Sequence, residues 1–110
     1  MTSGTLVVLI TTPTRDEATH LARTLVEERL AACVNVLPGI QSFFYWEEKM
    51  NEEGESLLLV KTERDRYQAL EARVKELHSY SVPEILALPI ERGSASYLDW
   101  VHQHVKLERG

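Results

Sequence analysis

Cys33 is the single thiol of a 110-residue chain, and it follows Ala31 and Ala32 at the entry to an apolar run. As a thiolate it would be a nucleophile or a soft-metal ligand. With no His, Cys or Asp close to it in sequence, a small buried hydrophobe is the plainer reading. The histidines are His20, His78, His102 and His104. An i, i+2 pair on a helix points to different sides, so His102 and His104 make a poor chelate. His78 falls at the end of a helical pattern, where a cationic imidazole would favour the helix dipole or where it could ligate a metal. Glu47 and Glu48, adjacent in a strand, would face opposite ways and do not form a catalytic pair. Glu52, Glu53 and Glu55 crowd an expected turn and could hold a hard divalent ion weakly, although edge solvation explains them as well. Lys61 is the one base inside an aliphatic run, placed either to pair with a carboxylate such as Glu84 in a cleft or to snorkel to a sheet edge.

These residues must be positioned by a short series of elements. Leu6 to Ile10 is a β-branched apolar run, a strand buried on both faces. Thr14 with Glu17 forms a capping box, and Ala18, Leu21, Ala22, Leu25 and Val26 then repeat at helical spacing. Ala32 to Leu37 is a second strand, bent at Pro38-Gly39 and continued to Trp46. The sequence predicts a reversal at Asn51 to Gly54 and a return strand over Glu55 to Thr62. Thr62 with Asp65 caps a second helix, whose buried side is Tyr67, Leu70, Val74 and Leu77 and whose surface carries the pair Glu71 and Lys75. Glu84 to Ile90 is a last strand with Pro89 suited to an edge. Ser96 with Asp99 opens a short third helix.

Strand, helix, strand, strand, helix, strand with right-handed crossovers is an α+β, ferredoxin-like βαββαβ sandwich, read here as a single domain over residues 1–110. Its hairpin is long. Arms of about ten residues extend roughly 33 Å, whereas a helix of about fourteen residues covers about 21 Å. Phe43 and Tyr45 point one way and Phe44 and Trp46 the other. One helix layer cannot bury both faces, so a partner chain or the terminal helix must cover the second, and the overhanging edge invites self-assembly.

The net charge of −5 argues against nucleic-acid phosphates and against an anionic membrane surface. No apolar run approaches the roughly 18 residues of a membrane span. The opening MTSGTLVVLITTP lacks the basic region of a signal peptide, and one cysteine fits a reducing cytoplasm. No glycine-rich phosphate loop, metal-protease motif or Ser-His-Asp set is present. Thr11 to Arg15 is a poor substitute for the donor loop and arginine of an acylphosphatase-like site, so a non-enzymatic protein is expected.

The segments TTP (Thr11 to Pro13), LVEERLAACVNVLPGIQS (Leu25 to Ser42), YWEEK (Tyr45 to Lys49), VPEI (Val82 to Ile85) and YLDW (Tyr97 to Trp100) resemble the CutA family of divalent-cation tolerance proteins. The resemblance implies a homotrimer built through the hairpin, similar to PII signalling proteins, and tolerance of copper or another divalent metal, with copper bound by some members. It makes His78 the metal residue, while Ile10 stands where those members carry a thiol. Their His-Pro-Tyr-Glu motif is His78-Ser79-Tyr80-Ser81 here. It also implies an intersubunit cleft that gathers Cys33, Trp46, Lys61, Tyr80 and Glu84 around a small ligand, for which Lys61 suggests an anion.

Overall fold

The computed structural model describes residues 4–106; the two ends of the expected 1–110 domain lie outside the described residues. Its elements are β1 (Thr5–Thr12), α1 (Arg15–Glu27), β2 (Cys33–Trp46), β3 (Lys49–Glu63), α2 (Arg64–Leu77), β4 (Ile85–Pro89) and α3 (Ala95–Val105). The four strands are ordered β2-β3-β1-β4 and all pairs are antiparallel. That order is the split βαβ arrangement of a ferredoxin-like fold.

Strand alternation divides the sheet chemically. Leu6, Val8 and Ile10 of β1 and Leu58 and Val60 of β3 meet Ala18, Leu21, Leu25, Leu70 and Val74 of α1 and α2 in one buried core. Val26, at the rim of the α1 stripe, stays 42% exposed. The opposite face carries Cys33, Lys61 and Glu63. There α3 lies over β3 and β1, packing Val101 and Val105 on Ala32 and bonding its His102 Nδ1 to Glu63 Oε1 at 2.7 Å. The terminal helix therefore supplies part of the second cover. Leu37, Leu86 and Leu88 on the same face remain exposed.

Local chemistry explains the ends of the elements. Thr14 Oγ1 accepts from the Glu17 amide at 3.1 Å, as the capping box requires. α1 closes in a Schellman motif, with Leu30 N bonding Leu25 O and Arg29 N bonding Val26 O. The left-handed position of that motif is filled by Arg29 (φ 58°) where glycine is usual. Thr62 does not cap α2. It lies inside the β3 ladder with its hydroxyl turned inward, donating to Leu30 O at 2.7 Å, and Glu63 is the N-cap residue without a side-chain capping bond to the helix. Ser96 likewise falls inside α3, whose N-cap is Ser94. The Glu71–Lys75 pair forms at 3.1 Å.

The expected reversal at Asn51 to Gly54 is displaced. The chain turns at Glu47-Glu48, both with positive φ (52° and 64°), the type I′ geometry that matches hairpin twist. Register decides this. Val36 must oppose Leu58 and Val34 must oppose Val60 to keep Leu58 and Val60 in the core, and any slip by one residue would turn them out. The midpoint of that pairing falls at residue 47. Asn51 then serves the turn from outside, its Nδ2 donating to Lys49 O at 2.9 Å and to Trp46 O at 3.4 Å. Gly54 is an ordinary strand residue opposite Gln41.

Candidate functional site

Beyond Thr12↔Ser56, β1 ends, and the hairpin continues through seven paired positions from Ile40↔Glu55 to Trp46↔Lys49. At Pro38-Gly39 the register shifts by one residue between Leu37 and Ile40, a β-bulge in which Gly39 takes φ 79°. The shift has a functional consequence. Cys33, Asn35 and Leu37 share one face, and an unbroken strand would put Phe43 and Tyr45 on it. The extra residue puts Ser42, Phe44 and Trp46 there instead, on the same face as Asn51, Glu53 and Glu55. Phe43 and Tyr45 alternate to the other side of the ribbon, 60% and 77% exposed against 38% and 54% for Phe44 and Trp46, although Phe43 still borders the groove on this wall.

That wall faces the α2–β4 loop across an open groove of about 900 Å³, whose other wall includes Ser79, Tyr80, Val82 and Glu84. The loop is held by hydrogen bonds. Tyr80 Oη donates to Glu55 Oε2 at 2.9 Å, and Glu55 is buried. The Ser79 amide donates to Glu17 Oε2 at 3.1 Å. Burial first, and then the bond to Glu55 and the charges of Glu55, Glu53 and Glu17, push the Tyr80 hydroxyl up to about 12. It is therefore a hydrogen-bond donor throughout the neutral range.

His78 is the keystone of the loop. The sequence suggests a cation favouring the helix dipole or a metal ligand at the helix end; the structure buries the side chain completely. The Tyr80 amide donates to Nδ1 at 3.0 Å, so Nδ1 is an acceptor. Nε2 lies 2.7 Å from Thr11 O, which can only accept, so Nε2 carries the proton. Both ring nitrogens are thus committed, and a metal could reach either only by displacing a backbone partner. Glu17 Oε2 stands 3.4 Å from Nδ1.

Of the five cleft residues expected from the sequence, Trp46, Tyr80 and Glu84 line this groove. Cys33 and Lys61 do not. They oppose each other across β2 and β3, with Lys61 Nζ 4.0 Å from Cys33 Sγ and bonded to Asn35 Oδ1. Lys61 therefore pairs with Asn35 and not with Glu84. α3 reaches this second cluster, where burial, followed by interaction with Cys33, raises the Tyr97 hydroxyl pKa. The residues that sequence reasoning missed are Phe44, Glu53 and Glu55. Assigning Glu53 and Glu55 to a solvated turn concealed them, and counting the bulge as an inserted residue would have put them on the face of Trp46. Among the described residues, no three His, Cys, Asp or Glu side chains converge as a metal site, and no helix is long and apolar enough to cross a membrane.

Residues 6–104 match the family model described as CutA1 divalent ion tolerance protein. A relative from Thermus thermophilus named divalent-cation tolerance protein CutA is 52% identical over 98 residues, covering 89% of this chain and 95% of its own. The crystal structure of CutA1 from Oryza sativa superposes with a TM-score of 0.93 at 40% identity, over 97% of this chain and 98% of that one. A structure titled periplasmic divalent cation tolerance protein CutA, from Archaeoglobus fulgidus, gives 0.90 at 42% identity, over 93% and 99%. Family model, sequence relatives and fold agree: the chain belongs to the CutA1 divalent ion tolerance family.

Proposed function

We propose that the protein is a non-enzymatic homotrimer in the response to divalent metal ions, acting in the cytoplasm, and that it binds copper weakly through side chains of more than one chain. The observation that carries the assembly is the bare hairpin. β2 is a sheet edge along its 14 residues, and Lys49 to Glu55 lose their second neighbour where β1 stops. Phe43, Tyr45, Trp46 and Met50 are each more than half exposed on it. Open edges carrying apolar side chains are sites of strand pairing, and closed symmetry limits such pairing to a small ring.

Membership of a divalent ion tolerance family supports the metal role. The reading of a metal contact shared between chains is consistent with a single chain that gathers no three ligating groups among the described residues and with the commitment of both His78 nitrogens. His78 would join a copper ion only after releasing Thr11 O or the Tyr80 amide. Light scattering on the untagged protein should give three times the 12.6 kDa chain mass; a stable folded monomer would refute the assembly. Calorimetric titration with Cu(II) should show saturable, weak uptake that disappears when the hairpin aromatics are replaced. Uptake unchanged in a monomeric variant would refute the shared site. A sensor of a small anion draws less support, because Lys61, its sole basis, lies outside the groove.

A further inference from the structure

We infer that His78 is not a metal ligand in this chain but a clasp, which ties the α2–β4 loop to β1 and, through Tyr80, to the hairpin. The imidazole has two sides. Its Nε2–H meets Thr11 O at 2.7 Å, an arrangement that a ligating histidine also shows, since the spare N–H of such a ring commonly rests on a backbone carbonyl. The other nitrogen decides. Nδ1 accepts from the Tyr80 amide at 3.0 Å on a side chain with 0% exposure, so its lone pair is engaged within the loop. A metal at Nδ1 would leave that backbone N–H without a partner in the interior. Both contacts lie inside one chain and hold whatever covers the hairpin.

The groups that would have to join His78 on a metal are engaged as well. Copper takes sulfur ligands as Cu(I), and nitrogen and oxygen in a tetragonal set as Cu(II). Ile10 stands where the resemblance expects a thiol, and its side chain is sealed in the core with Leu21 and Leu58. Glu17 Oε2 is 3.4 Å from Nδ1, but it accepts from the Ser79 amide at 3.1 Å. The family motif has proline at that position, which has no N–H to give; serine supplies the donor that holds the carboxylate. Among the described residues, no third ligating side chain converges there. Both departures from the family pattern thus turn the surroundings of His78 from ligation towards hydrogen bonding. Tyr80, fixed through its amide and packed on the imidazole with ring centroids 5.0 Å apart, is in turn placed to donate to Glu55 Oε2 at 2.9 Å. His78 thereby sets where the loop meets the ribbon. The inference does not rest on the copper reading, and it holds whether copper binds elsewhere or not at all.

The test uses the full, untagged chain in its native assembly. In the metal-free protein at neutral pH, nitrogen NMR of the imidazole should show one tautomer with Nε2 protonated, and the Ser79 and Tyr80 amides should exchange slowly. His78→Gln keeps a donor for Thr11 O. It should lower the melting temperature and speed exchange of both amides about tenfold, as local opening of the loop does. Calorimetric titration with Cu(II) chloride should give the same isotherm for this variant as for the native protein. A marked loss of copper uptake in folded, assembled His78→Gln would overturn the inference. Should that variant not fold, the native protein decides: selective broadening of the Tyr80 amide signal by substoichiometric Cu(II), or an imidazole in mixed tautomers, would overturn it equally. A native protein that takes up no copper removes the copper binding proposed above and leaves the clasp standing on tautomer and exchange.

Discussion

The same two strands, β2 and β3, lead two different lives. Between Cys33↔Lys61 and Leu37↔Leu57 they belong to a four-stranded sheet, with Leu58 and Val60 sealed under α1 and α2 at 0% exposure. Between Ile40↔Glu55 and Trp46↔Lys49 they are a two-stranded ribbon, with β1 ended and aromatics in the open. The body is stabilised by burial, which each apolar side chain supplies separately. The ribbon has its ladder and turn but little burial, and an isolated two-stranded hairpin is marginal in water. Identical backbone pairing thus yields a self-sufficient region and a dependent one, and the difference is what covers them.

The largest test of that contrast lies in the body. Leu58→Ala should cost about 3 kcal/mol of unfolding free energy, read by denaturant titration, because the site is fully buried between sheet and helices. Replacing Phe43 and Tyr45 by serine should cost the single chain little while dissociating the proposed assembly. A cost from the serine pair equal to that of Leu58→Ala, measured on a monomeric form, would erase the distinction between the regions.

The junction should give an intermediate effect. Tyr80→Phe removes the donor to buried Glu55 and should cost about 1–2 kcal/mol, loosening the loop against the ribbon. The bond also predicts a pH dependence. Tyr80 titrates near 12 when folded and near 10 when unfolded, so the protonated form is favoured by folding. Its contribution is complete below about pH 10 and is lost as pH rises through about 12. Melting curves across that window should converge for the native protein and Tyr80→Phe; parallel curves would show that the bond does not form.

The body was far more legible in the sequence than the ribbon, for a physical reason. Leu6 to Ile10, the α1 stripe and the Thr14–Glu17 box each announce themselves over a few neighbouring residues. The turn does not. Asn51 to Gly54 has turn composition, yet long-range pairing of Val36 with Leu58 places the reversal at Glu47-Glu48, two residues with no intrinsic preference for positive φ. Thr62 failed as a cap for the same reason: its hydroxyl was claimed by Leu30 O, distant in sequence. In the groove, Trp46, Tyr80 and Glu84 were recoverable from motif resemblance. Glu55 was not, because its partner Tyr80 and the bulge at Gly39 jointly decide where it points. His78 was found as a position, but its buried hydrogen bonds with Thr11 and Tyr80 depend on tertiary packing.

Left-handed residues give the smallest effect and the sharpest comparison, since each region holds them without glycine. Arg29 closes α1 in the body, and Glu47 and Glu48 close the ribbon. Relieving an L-residue in that conformation is worth about 1 kcal/mol, and the backbone entropy of glycine takes back part of it, so Arg29→Gly should raise the unfolding free energy by a few tenths of a kcal/mol, about what remains. Glu47→Asn with Glu48→Gly supplies the residues a type I′ turn favours and relieves comparable strain. The two changes need not report alike. If ribbon and body unfold as one cooperative unit, both variants shift the same global transition. If the ribbon frays on its own, the turn variant leaves the global midpoint fixed and slows only the exchange of amides between Ile40 and Glu55. Measuring both variants as monomer and as assembly then separates cohesion within one chain from cohesion contributed by its neighbours: a turn variant silent in the monomer and stabilising in the assembly would show that the ribbon joins the cooperative fold only when covered.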